Sequence, residues 1–150
     1  MAQPLPSSLG VLPVGLGHGG DLVMPVDDHE AFWIGLDLAP GAMPITLSTT
    51  VELRSGEIRS CRLVRVTSVE RIAGFSGVDG GMKAFVRSCN ADSSRECVRL
   101  ILRLGLAVGN FTVTRMSIRL LDYAQYIAES GKPAPVALDM NAGYRGWRLP

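Results

Sequence analysis

Lysine is scarce in this chain and histidine equally so: two of each stand among 150 residues. A nucleophilic thiol or hydroxyl needs a base beside it, most often histidine. His18 and His29 would therefore have to serve every such scheme with Cys61, Cys89 or Cys97, and no G-x-S-x-G elbow is present. The carboxylates stand mostly in turns (Glu57, Asp79, Asp92, Glu96), so no inward pair for glycoside hydrolysis is legible. Charged residues make up 19% of the chain, below the typical ~25%. A net charge of +1 removes any overall field toward nucleic acid or anionic lipid. Aromatics are only 6%, thin for base stacking. No apolar run reaches the roughly 20 residues of a membrane-crossing helix. The opening stretch MAQPLPSSLGVLPVG has neither a basic leader nor a continuous apolar run, and the cysteines number three, an odd count. The expectation is a cytoplasmic, reducing location with no secretory signal.

What the chain has instead is arginine, thirteen of its fifteen basic residues, on a background that is 47% apolar. A chain of this length forms one domain and buries roughly 70% of its unfolded surface. A positive mean hydropathy with few charges points to apolar surface covered by a partner, a second copy being the simplest.

Residues 1–20 are rich in Pro, Gly and Ser without periodicity and read as a loose arm, with one domain over 21–150. Short runs rich in β-branched and apolar residues follow, separated by turn signals: 21–26, 31–38, 45–53, 58–75, 82–89, 97–106 and 111–121. ITLSTTVEL alternates cleanly and RSGE after it reads as a hairpin turn. Between 58 and 75 the alternation slips near Val66, as a bulge would make it. Asp122, with Gln125 three residues on and Gly131 beyond, frames one short helix near 122–130, with Tyr123, Ile127 and Ser130 on one stripe. The pattern points to a mainly β fold, an antiparallel sandwich of jelly-roll type with that one helix.

Residues 14–30, VGLGHGGDLVMPVDDHE, hold both histidines and the spacing G-x-G-x-x-G at Gly15, Gly17 and Gly20. A dinucleotide loop must lead from a strand into a helix whose amides hold the pyrophosphate. Here the glycines lead into DLVMPV, which is strand-like, so the spacing marks a linker into the first strand and no cofactor is expected. The same stretch offers His18, Asp21, Asp27, Asp28, His29 and Glu30 as metal ligands, either an imidazole–carboxylate set or hard oxygens for calcium. Their spacing fits no short zinc motif, and a solvated hairpin tip explains three carboxylates equally well. Cys89 and Cys97 flank the connection between two strands and, if opposite one another, lie within disulfide reach; a disulfide and a pair of reduced thiols both fit.

Arg99 and Arg103, then Arg115 and Arg119, are each four apart on strand-like runs, so each pair lies on one face. If those strands are neighbours, four guanidiniums form a patch for phosphate, sulfate or an acidic protein surface. A solvated face paired with Glu52, Glu70 or Asp122 is the plainer reading. Trp33 beside Phe32, and Tyr144 and Trp147 among glycines and arginines, offer flat platforms for a glycan or plugs for an interface. The sequence as a whole points to a non-catalytic interaction module, self-associating or binding another protein through Arg99, Arg103, Arg115, Arg119, Trp33, Tyr144 and Trp147. A carbohydrate-binding module and a small metal-dependent enzyme around His18 and His29 are the alternatives; nucleic acid and membrane are not expected partners.

Overall fold

The computed structural model describes residues 12–28, 30–61, 63–77, 79–87, 96–107 and 112–134. Among these the chain is mainly β, and its strands pair mostly antiparallel. In order they are β1 (Gly15–Leu16), β2 (Leu22–Pro25), β3 (Ala31–Phe32), β4 (Ile34–Asp37), β5 (Ile45–Leu53), β6 (Ile58–Ser60), β7 (Val64–Val66), β8 (Val69–Ile72), β9 (Gly74–Ser76), β10 (Met82–Val86), β11 (Cys97–Leu106) and β12 (Thr112–Leu121), followed by helix α1 (Tyr123–Ser130).

The large sheet runs β1-β2-β12-β11-β5-β6, with β7 also paired to β5. Its long strands alternate as a half-buried sheet must. Leu47, Val51, Leu53, Leu100, Leu102, Ile118 and Leu120 are buried on one face. Ser48, Glu52, Arg99, Arg103, Arg115 and Arg119 alternate onto the other. One pair departs from the antiparallel expectation: β2 lies parallel to β12, with Ile118 opposite Leu22 and Leu121 opposite Pro25.

The slip in 58–75 lies earlier than its alternation suggests. Ser60 pairs with Thr50 and Val64 with Leu47, four residues against three, so one extra residue is taken up around 61–63. The run is then four short strands, with Val64 and Val66 in the core and Leu63 and Val69 exposed. A second irregularity, between Cys97 and Arg99 on β11, buries Cys97 together with Leu100 and leaves Val98 only half-buried.

Two smaller sheets, β3-β10-β9 and β4-β8, form a fork. The segments 31–37 and 69–76 pair directly at Ile34–Ile72 and Gly35–Arg71, then separate so that β10 fits between β3 and β9. Trp33 is the residue at which the expected strand 31–38 breaks. Phe85 of β10 stacks on Phe32 at 5.3 Å and meets Phe75 at 6.3 Å between ring centres. These rings share one buried cluster with Leu47, Val51, Leu100 and Ile118 of the large sheet.

Helix α1 starts and stops where its caps stand. The Asp122 side chain accepts a hydrogen bond from the Gln125 N–H, and Gly131 closes the last turn at φ 68°. Its buried residue is Tyr126; Ile127 faces outward, so the stripe expected through Tyr123, Ile127 and Ser130 is rotated by about one residue. Tyr126 packs on Val23 and Leu121. Those two residues share the sheet face of Arg119, because Val23 is opposite Arg119 and Leu121 lies two positions on. The helix thus covers the β2–β12 side of that face. Residues 15 and 16, inside the stretch expected to be a loose arm, pair with Val23 and Leu22.

Candidate functional site

The register of β11 and β12 brings the four arginines together in two rungs. Arg99 stands opposite Arg119 and Arg103 opposite Arg115. Directly opposed like charges destabilise a strand pair, so each rung calls for anions, and the two differ in how they are met.

At the first rung the chain supplies them. Arg119 donates to Asp21 and to Glu129, clamping the β1–β2 hairpin and α1 to the sheet. Arg99 donates to the Ser117 hydroxyl at 3.0 Å and pairs with Glu52 at 3.4 Å. The glycines of the opening motif make room for this clamp. A Cβ on Gly17 would come within 2.8 Å of Asp21 Oδ1 and 3.0 Å of Arg119 Nη2, and one on Gly15 within 3.1 Å of the Tyr126 hydroxyl. The G-x-G-x-x-G spacing belongs to a hairpin, with Gly17 N–H donating to the Asp21 carbonyl, and leads into a strand.

Hydrogen bonds from Arg119 hold the carboxyls of Asp21 and Glu129 below the usual carboxylate range and raise Arg119 in turn. A depressed folded pKa stabilises the fold above the unfolded value, about 4, and that stability is lost as pH falls through the lower folded values. Arg119→Gln is therefore expected to be less stable than the wild type at neutral pH, with a smaller gap at an acid pH well below the unfolded value. Urea titrations of both proteins at the two pH values check this; a gap unchanged in acid would refute the clamp.

At the second rung the described residues supply no anion. Among the described residues, Arg103 and Arg115 have no ion pair and no hydrogen bond from their side chains. Arg115 is exposed and Arg103 half-buried. Ser48 stands opposite Arg103 on β5, and Arg65 of β7 stands opposite Thr46, two positions along from Ser48 and on the same face. Arg65 and Ser48 went unassigned in the sequence, although the inward parity of Val64 and Val66 already turns Arg65 outward.

The remaining candidates are held elsewhere. Asp28 is ion-paired to Arg87, a buried arginine whose Nε donates to the Val26 carbonyl at 2.7 Å. Glu30 accepts from the Tyr123 hydroxyl at 3.0 Å and from the Asp27 N–H at 2.8 Å; burial, with Glu30 beside it, pushes the Tyr123 hydroxyl upward. His18 lies with Nε2 3.1 Å from the Ala128 carbonyl oxygen. Among the described residues no three His, Cys, Asp or Glu side chains gather as a metal site. His29, Cys89, Tyr144 and Trp147 lie outside the described residues. Burial pushes the Cys61 thiol to about 11 and that of Cys97 to about 12. Trp33 carries the Arg71 guanidinium 5.1 Å over its ring.

A cavity of about 130 Å³ opens beside Leu53, Phe75, Arg59 and Lys83. Its charges pair among themselves, Arg59 with Glu57 at 2.8 Å and Lys83 with Asp79 at 3.3 Å. No helix among the described residues is long and apolar enough to cross a membrane. Compared with known proteins, the chain matches no family model, no curated protein and no solved structure.

Proposed function

We propose that this chain is a non-catalytic β-sandwich interaction module that docks an acidic segment of another protein on its arginine face. The sandwich reading draws on the single buried cluster shared by the large sheet and the forked small sheets. The docking reading is carried by one observation: Arg103 and Arg115 are opposed in register on the outward face of the large sheet, and no carboxylate among the described residues meets them. Guanidinium groups stay protonated and cannot exchange protons in a reaction cycle. A face built from them is suited to receiving anions. Trp33 already carries Arg71, and Asp28 and Glu30 already hold Arg87 and Tyr123, so neither group offers a comparable open contact.

A fluorescein-labelled decaglutamate peptide tests this by anisotropy at about 50 mM salt. Binding should weaken as salt is raised. It should fall at least about tenfold in Arg103→Gln/Arg115→Gln, since a hydrogen bond to a charged group is worth about 1.5–3 kcal/mol. Equal binding by the variant would overturn the proposal.

A further inference from the structure

Resting on that reading, we infer that the group received at the Arg103–Arg115 rung is a phosphate monoester, so that the partner is a phosphorylated protein segment. The two rungs of the same face supply the comparison. At the first, the single guanidinium of Arg119 engages two carboxylates, Asp21 and Glu129, and Arg99 takes a third from Glu52. At the second, two guanidiniums stand side by side with Arg65 across β5 and no carboxylate among the described residues.

The two opposed forks, with about 5 Å between their Cα atoms, carry two positive charges, and a single carboxylate brings only one negative charge to meet them. A phosphate monoester brings three acceptor oxygens and close to two negative charges near neutral pH. One such group can bridge both forks and relieve their mutual repulsion. The Ser48 hydroxyl, opposite Arg103, adds a donor at the rim.

A nucleic acid backbone fits less well. Its charges recur about every 1.7 Å along a duplex and ask for a continuous cationic track. Here the cationic stretch ends after one rung at Glu52, Asp21 and Glu129. The outward positions of β5, β11 and β12 from Thr46 to Glu52, Arg99 to Gly105 and Arg115 to Leu121 hold no aromatic on which a base could stack.

The test uses the full chain and three labelled acidic decapeptides of one sequence, differing at a central serine, phosphoserine or glutamate. At pH 7.5 the phosphoserine peptide should bind at least about tenfold tighter than the other two. That advantage should shrink at pH 5.5, where the phosphate passes below its second pKa of about 6 and becomes a monoanion. Arg103→Gln/Arg115→Gln should abolish the advantage. Arg59→Gln, on the opposite face beside Glu57, should keep it. A thermal midpoint no lower than that of the wild type shows that the double variant is folded.

If all three peptides bind equally and all depend on the two arginines, the phosphate inference is overturned and acidic docking stands. If none binds, or binding ignores the arginines, both fall. Tighter, arginine-dependent binding of an oligothymidine than of the phosphopeptide overturns the inference in favour of nucleic acid.

Discussion

Truncating Phe85 to alanine should lower the unfolding free energy by about 4 kcal/mol, within the usual range for removing a buried phenylalanine. Phe85 is 0% exposed. It is stacked on Phe32 with an interplanar angle of 21° and tilted by 30° against Phe75. Each such ring pair adds roughly 0.5–1.5 kcal/mol beyond the area it buries. The ring also projects from β10, the strand that fills the fork, into the cluster shared with the large sheet. Its loss opens a cavity between layers, and backbone paired on both sides has little freedom to collapse into it. Against a typical stability of about 5–15 kcal/mol, that is a large fraction. Urea unfolding at 25 °C measures it, with Phe85→Leu expected to recover more than half the loss. A loss under about 1 kcal/mol would mean that the small sheets do not pack on the large one.

The long strands were legible because their signal is local. The runs 45–53 and 97–106 are strands over those bounds, and their alternation places Leu47, Val51, Leu100 and Leu102 inward and Arg99 and Arg103 outward. The helix was legible through its caps, Asp122 and Gly131. What remained hidden depends on pairing between distant segments. Parity fixes the face of each arginine, but only the register of β11 against β12 sets Arg103 opposite Arg115. The parallel pairing of β2, the insertion of β10 and the break at Trp33 carry no local mark. The acidic stretch after Pro25 resembles a ligand set because its partners lie far along the chain: Asp28 meets Arg87, 59 residues away, and Glu30 meets Tyr123, 93 residues away.

The same asymmetry explains why the arginine face stands out. A sheet with one face buried leaves its other face to water, and most natural faces intersperse both signs of charge. This face does so on the β2–β12 side, where α1 and the β1–β2 hairpin bring Glu129 and Asp21 to Arg119. Away from the helix, Arg65, Arg103 and Arg115 follow one another without an acid among the described residues. Opposed cations weaken their own strand pairing. Their placement is the cost the fold carries at the position where the docking proposal puts the partner.

An alanine at position 74 is expected to be tolerated far worse than one added methyl suggests, with a loss of about 3 kcal/mol, at the upper end for overpacking. Gly74 pairs with Ala84 across β9 and β10. A Cβ built there would stand 1.9 Å from the Lys83 carbonyl oxygen, 2.8 Å from its carbon and 3.2 Å from the Ala84 Cα. All three are backbone atoms, so no side chain can swing aside, and relief requires β9 to move off β10. Gly74 is not among the glycines with positive φ, so the penalty is one of space alone. Gly131 supplies the contrast: its φ is 68° and nothing lies within 4 Å of the added carbon. Gly131→Ala should therefore lose only about 1 kcal/mol, from backbone conformation. Urea unfolding of the two variants side by side separates the causes. Hydrogen exchange in Gly74→Ala should accelerate first at the β9–β10 amides and leave β11 and β12 protected, because the moving strand borders the fork and not the arginine rungs. Equal losses in the two variants would show that β10 does not lie as close to Gly74 as the fork requires.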